Sequence, residues 1–316
     1  MNNNHFKLFR KTIKLLTTAI EVDPILPIIE KRLLSSLKAN LEKTQPIFII
    51  GSPRTGSTLL FELIVSFFNA SYFTNLASLY FKSPTLIAFL QNKFLRRNSI
   101  FTGKSNYGYI NGFNSPSEAG QIFNFWFRRL KSNTLDDDKI RYTIYAISQI
   151  MNGPFVSKNL NISLYIKQIK QIFPEAIFIQ IRRDPIYTAQ SIIMARRNLY
   201  GNQSIWFSVK PPNYDKIKRM EAFKQTILQI KSINDIIKQS IVDSNVKNTF
   251  EINYANLCSN PLRVLENIKS LCDTFGLQLY KNPNWSFKNL VFNRSEKQKL
   301  SNKDWNHLNS LANIFL

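Results

Sequence analysis

Cysteine and histidine are scarce in this sequence, with two of each in 316 residues. Cys258 and Cys272 lie apart, without CxxC spacing or a neighbouring histidine, so neither a disulfide nor a zinc framework is expected to organise the chain. His5 and His307 fall one in each terminal region, which leaves zinc hydrolase chemistry without ligands. No stretch approaches the roughly twenty apolar residues of a membrane span. Lys7, Arg10, Lys11 and Lys14 precede Leu15 and Leu16 as in a signal peptide, but Glu21, Asp23, Pro24 and Pro27 end the apolar run early and no small-residue cleavage site follows. A reduced, cytoplasmic protein is expected. Acidic residues are the last shortage: 20 Asp and Glu against 42 Lys and Arg leave a net charge of +22. Such a field draws in nucleic acid, anionic lipid headgroups, acidic saccharides or a highly phosphorylated cofactor, although a composition rich in Asn, Ile and Lys accounts for it equally.

Against these shortages, one stretch is dense with information. In PIFIIGSPRTGSTLL, Pro46 to Leu60, an apolar β-branched run over Ile47 to Ile50 ends at Gly51, and an apolar helical pattern begins near Gly56. The reading is strand, tight loop, helix. Gly51 and Gly56 let the backbone turn and gather N–H groups at the positive end of the helix, which suits an anion. The spacing matches the nucleotide-triphosphate loop, yet the lysine demanded after the second glycine is replaced by Ser57, and the cation lies inside the loop at Arg54. A phosphate-like group held without metal is the functional reading; an ordinary strand-to-helix turn is the alternative.

The rest of the chain repeats this logic. Residues 1–45 read as a basic helical segment broken at Pro24 and Pro27, with either a solvated charged face or a contact with an anionic membrane surface. Thr58 to Phe68 is an apolar helix. Residues 71–115, with Lys82, Lys93, Arg96, Arg97 and Lys104, show no period. Asn114 to Phe127 opens a helix capped by Ser115 or Ser117, with Glu118 as a first-turn acid and the run Phe123 to Phe127 as core rather than a sugar platform. Asp136, Asp137 and Asp138 form a turn or helix start. Phe155 to Lys158 is a short strand, 162–173 an amphipathic helix, and Ala176 to Ile181 the clearest buried strand. Arg182 and Arg183 follow, and Asp184 with Pro185 opens a helix carrying Ser191. A long helix is expected over 215–241, a strand over Thr249 to Asn253, a helix from Asn260 and Pro261 to Gly276, and a last helix opened by the Ser301/Asp304 capping box. Two strand–loop–helix units joined by a helical crossover predict a parallel sheet with ligand at the carboxyl ends of its strands. No linker divides the chain, so one α/β domain over 46–316 is expected.

Two basic loops now stand at the ends of two strands, and together they resemble a known family. GSPRTGSTLL resembles the 5′-phosphosulfate loop of sulfotransferases that use 3′-phosphoadenosine 5′-phosphosulfate, PAPS. FPEAIFIQIRRDPIYTAQSI resembles their 3′-phosphate element, which places Arg183 and Ser191 on that phosphate as a fork and a short donor. Pro116 to Gly120, Lys158 to Leu160 and Trp206 to Pro211 resemble segments of a bacterial branch that decorates surface polysaccharides. INYANLCSNPLRVLENIKSLCDTFGL resembles a further segment, with Asn253, Ala255 and Asn256 departing from the usual Arg, Glu and Asp.

That resemblance implies a single α/β domain with a central parallel sheet and a P-loop-like fold. It implies PAPS as donor, no metal, and a hydroxyl acceptor of saccharide type. Donor-binding residues would be Ser52, Pro53, Arg54, Thr55, Gly56, Ser57 and Thr58, with Arg183, Ser191 and Tyr254; backbone N–H groups of Thr55 to Thr58 would hold the 5′-phosphate. Arg54 and Lys158 would stabilise charge on the leaving phosphate. Many relatives use a histidine base, but both histidines fall outside the matching region, so Glu118 is the candidate base. Lys158 as a solvated strand-end charge, and Trp206, Ser208 and Lys210 as either acceptor-side lining or loop packing, remain open. The alternatives are a nucleotide kinase or NTPase, which needs the absent lysine and a magnesium-binding acid, and a basic nucleic-acid or membrane-surface protein, for which no nucleic-acid motif speaks. Peripheral contact with the inner membrane is compatible with the first reading, and no nucleic-acid partner is expected.

Overall fold

The computed structural model describes residues 23–94, 101–103, 105–131, 137–287 and 290–316. The basic stretch Lys7 to Lys14, His5, Arg96, Arg97, Lys104 and Asp136 lie outside them. The first described helix, α1 (Ile25–Leu37), starts directly after Pro24 with Pro27 in its first turn. The two prolines therefore open a helix instead of breaking one, since the first-turn N–H groups they lack have no intrahelical acceptor anyway.

β1 (Ile47–Ile50) is buried along its whole length. It feeds through the glycine loop into α2 (Ser57–Phe67), whose residues are almost all buried. The stretch expected to be irregular contains α3 (Asn75–Leu79), α4 (Pro84–Phe94) and a small hairpin, β2 (Ser105–Asn106) with β3 (Tyr109–Ile110). Long-range contacts order this region. Glu30 of α1 accepts from the N–H groups of Thr85 and Leu86 at the start of α4, and Glu62 of α2 accepts from the N–H groups of Thr102 and Gly103.

α5 (Gly120–Lys131) begins later than the sequence reading placed it. Ala119 adopts φ 49°, a left-handed turn that keeps Glu118 out of the helix. α6 (Asp137–Met151) leads to β4 (Val156–Lys158). The expected helix over 162–173 is instead a 3-10 turn, Leu160–Leu164, followed by α7 (Ile166–Ile172). β5 (Ile177–Arg182) and α8 (Pro185–Tyr200) follow, the latter capped by Asp184, which accepts from the N–H groups of Ile186 and Tyr187. The long helix expected over 215–241 is divided into α9 (Tyr214–Ile217) and α10 (Ala222–Asp243), because Glu221 caps α10 by accepting from Phe223 and Lys224 N–H groups. β6 (Thr249–Asn253), α11 (Tyr254–Ser259), α12 (Pro261–Thr274) and α13 (Asn302–Phe315) complete the chain.

The four main strands form one parallel sheet in the order β4-β1-β5-β6, with Ile47 opposite both Val156 and Ile177, and Ile181 opposite Ile252. Helices cover both faces, as a parallel sheet requires. The main core holds Phe48, Phe123, Trp126, Phe155 and Phe178, so the aromatic run of α5 is core. A second cluster joins α8, α10 and α13 through Ile193, Ile227, Ile230 and Leu308. All four strands end toward the same side.

Candidate active site

At the carboxyl end of β1 the loop backbone is forced into uncommon conformations. Gly51, Arg54 and Gly56 have φ of 150°, 68° and 95°. A Cβ on Gly56 would stand 2.5 Å from the Tyr254 ring, and one on Gly51 would stand 2.8 Å from the Ile181 carbonyl oxygen. Both glycines are therefore required by close approach as well as by φ. Ser52 and Thr55 turn inward: Ser52 Oγ donates to Asn234 Oδ1 at 3.0 Å, and Thr55 Oγ1 donates to the Ser52 carbonyl at 2.9 Å. Their side chains brace the loop from within. No side chain caps α2, so its first N–H groups face the cleft with no intrahelical acceptor.

The cleft above this helix end has a volume of about 210 Å³ and is lined by Pro53, Arg54, Gly56, Ser57, Thr58, Glu118, Lys158, Arg183, Ser191 and Tyr254. Residues far apart in the chain thus meet in one place. β4 delivers Lys158, whose side chain is only 3% exposed. Its ammonium donates to Thr58 Oγ1 at 3.1 Å and forms an ion pair with Glu118. Asn159 fixes the other end of Glu118 by donating to its backbone carbonyl at 2.9 Å. Glycine loop, buried ammonium and carboxylate form one connected line, and Lys158 is no solvated strand end.

In the basic half of the cleft the expected donor-binding side chains engage one another. Ser191 Oγ accepts from Arg54 Nε at 3.1 Å. Arg183 turns toward the C-terminal segment, donating to the Ser295 carbonyl and Oγ at 2.9 and 3.2 Å and to the Arg54 carbonyl at 3.0 Å. Glu296 lies 3.6 Å from its Nε, and both side chains are 4% exposed. The Arg183 guanidinium stacks on Tyr254 at 4.6 Å, and Tyr254 Oη lies 3.0 Å from Ser295 Oγ. Burial pushes the Arg54 guanidinium below its ordinary pKa; Arg183 adds to that shift, while Tyr107 and Glu118 oppose it. Burial likewise raises the Tyr254 phenol.

Several contributors escaped the sequence reading. Tyr107 covers the Arg54 guanidinium at 5.3 Å, and a Cβ on Gly108 would fall 2.1 Å from Glu118 Oε1. The Tyr107–Gly108 turn is the local signal that points to this hairpin. Ser295 and Glu296 carry no comparable signal. Of the expected acceptor-side residues Ser208 lines the cleft, beside Phe207, which the sequence did not single out. Trp206 does not; its Nε1 donates to the Val209 carbonyl at 3.1 Å. Lys210 is exposed, with its ammonium over the Tyr214 ring at 4.6 Å.

Comparison with known proteins agrees with this geometry. The sulfotransferase STF1 from Mycobacterium tuberculosis H37Rv superposes with a TM-score of 0.53 at 15% identity, covering 85% of this chain and 77% of that one. The sulfotransferase STF9 from Mycobacterium avium gives 0.50 at 14% identity, with 82% and 76% covered. These likenesses show the fold. No curated protein sequence matches the chain. The sulfotransferase family model matches residues 46–281, from the strand before the phosphate loop to beyond α12. On that match, which spans most of its length and all of the strands that carry the cleft, the chain belongs to the sulfotransferase family.

Proposed function

We propose that this sulfotransferase moves a sulfuryl group from PAPS to a hydroxyl of a saccharide acceptor. The observation that carries the reading is the line from the uncapped start of α2 through Thr58 and Lys158 to Glu118. The N–H groups of Thr55 to Thr58 take the donor's 5′-phosphate. Glu118 accepts the proton of the attacking hydroxyl as the new oxygen–sulfur bond forms. Arg54 and Lys158 neutralise the charge that collects on the bridging oxygen as the sulfur–phosphate link breaks, leaving adenosine 3′,5′-bisphosphate. Arg183, Ser191 and Tyr254 serve the nucleotide end. The close contact of Gly56 with Tyr254 suits a loop that must bring bare backbone to a phosphate. A saccharide acceptor rests on the resemblance to enzymes that decorate surface polysaccharides, and a cytoplasmic site at the inner membrane belongs to the same proposal. Among the described residues no helix is long and apolar enough to cross a membrane.

The test is a thermal shift with adenosine 3′,5′-bisphosphate, AMP, and ATP with magnesium, on the wild type and on Arg183→Ala. Selective stabilisation by the bisphosphate, lost in the variant, is expected by mass action. Stabilisation by ATP with magnesium alone would restore the kinase reading.

A further inference from the structure

Beyond the cleft wall, the segment 203–221 is held by one buried cation. Arg196 is fully buried. Its guanidinium donates to the Gln225 and Gln229 side-chain oxygens at 3.1 and 3.3 Å and to the Gln203 carbonyl at 3.2 Å. With both glutamine oxygens turned to Arg196, both amide nitrogens face the segment. Gln229 Nε2 donates to the Phe207 and Val209 carbonyls at 2.9 and 2.8 Å, and Gln225 Nε2 donates to the Lys218 and Met220 carbonyls at 2.8 and 2.7 Å. Ser208, between two of these anchors, has φ 67° and lines the cleft.

The outer face of the same segment is basic. The ammonium groups of Lys210 and Lys218 share the Tyr214 ring, at 4.6 and 5.3 Å. Arg219 is exposed beside them. Asp215 is engaged by Lys218 at 2.5 Å, and its carboxyl is held below its ordinary pKa by that hydrogen bond and by the charges of Lys218, Lys210 and Arg219. Glu221 is occupied in capping α10 and in contact with His307 at 3.3 Å. A surplus of positive charge therefore remains, and Lys210 is only two residues from Ser208.

We propose that this band reads a negative group on the acceptor, so that the substrate class is an acidic saccharide whose hydroxyl enters beside Ser208 while its carboxylate rests on Lys210, Lys218 and Arg219. The inference rests on the sulfotransfer reading of the cleft. It favours a saccharide over a nucleic acid, because bases need open aromatic faces. Here Tyr214 carries two ammonium groups, and Trp206 lies against Arg196 at 5.3 Å.

The experiment measures binding of an oligogalacturonate hexamer, of neutral maltohexaose and of poly(U), by calorimetry in the presence of adenosine 3′,5′-bisphosphate. The proteins are the wild type, a triple variant Lys210→Ala/Lys218→Ala/Arg219→Ala, and a control triple Lys43→Ala/Lys238→Ala/Lys247→Ala that removes equal charge elsewhere on the surface. The expected result is wild-type preference for the galacturonate, weakened about tenfold or more in the first variant and far less in the control. Equal weakening in both variants, no weakening, or equal binding of maltohexaose overturns the band. Tighter binding of poly(U) than of galacturonate overturns the saccharide. Bisphosphate affinity, measured on the same samples, separates the two readings: its absence from the wild type overturns the donor assignment, while the hexamer comparison still decides the band.

Discussion

Lys158 is the residue that joins the two halves of the proposed chemistry, through Thr58 on the glycine loop and through Glu118. If Glu118 is the base, Glu118→Gln lowers turnover by about 10²- to 10⁴-fold, the usual contribution of a positioned base, with bisphosphate affinity unchanged. Product formation followed by mass spectrometry under transfer-limited conditions checks this, and full turnover in the variant would remove Glu118 from that role. A second residue gives a pH prediction. Burial pushes the Cys272 thiol from 9.0 up to about 12. Between those values the unfolded thiol has lost its proton and the folded one has kept it, so the native state binds more protons and this group's contribution to stability falls as pH rises. Urea unfolding across that interval should show a shallower loss for Cys272→Ala, and iodoacetamide should label Cys272 only after unfolding.

Among the elements, α4 shows how a helix can be ordered from a distance. Its first N–H groups are received by Glu30 of α1, a carboxylate with no exposure whose pKa is raised chiefly by that burial. Glu30→Ala leaves two buried donors without acceptors, and a loss of about 1–3 kcal/mol for each group left unpaired is expected in urea unfolding. This dependence also explains what the sequence did and did not disclose. β1 and β5 are legible because an apolar β-branched run is a local property, and the glycine loop because glycine spacing is local too. The described parts of 71–115 are not, since the start of α4 and the Thr102–Gly103 turn are held by Glu30 and Glu62, which lie on other helices. Glu118, expected at or near the helix start, stands two residues before it, because nothing in its neighbours announces the left-handed turn at Ala119. Likewise, nothing beside Arg183 announces its partners Ser295 and Glu296, which are more than a hundred positions away.

For the molecule as a whole, two packed clusters divide the labour. The main core sets the sheet, whereas the cluster of α8, α10 and α13 supports the segment that carries Ser208 and the basic band. Leu308 of α13 is fully buried in that second cluster, and Arg197 of α8 pairs with Asp304 at 2.8 Å. Leu308→Ala is expected to cost about 2–5 kcal/mol, as other buried leucine truncations do, measured by urea unfolding. Its functional effect should fall on galacturonate binding before bisphosphate binding, because of the proposed donor-side residues only Ser191, on α8, sits on this cluster, whereas the glycine loop follows β1 of the main core.

The strand order carries a consequence for the history of each molecule. β1 lies between β4 and β5, so Ile47 must wait for Val156 on one side and Ile177 on the other. Contacts so distant in sequence form slowly, because loop closure precedes any gain. During synthesis the glycine loop leaves the ribosome early, yet β1 lacks its two flanking strands until β4 and then β5 have followed it. Nascent chains stalled ahead of residue 177 should therefore be open to proteolysis at the glycine loop, and chains released beyond residue 253 should protect it.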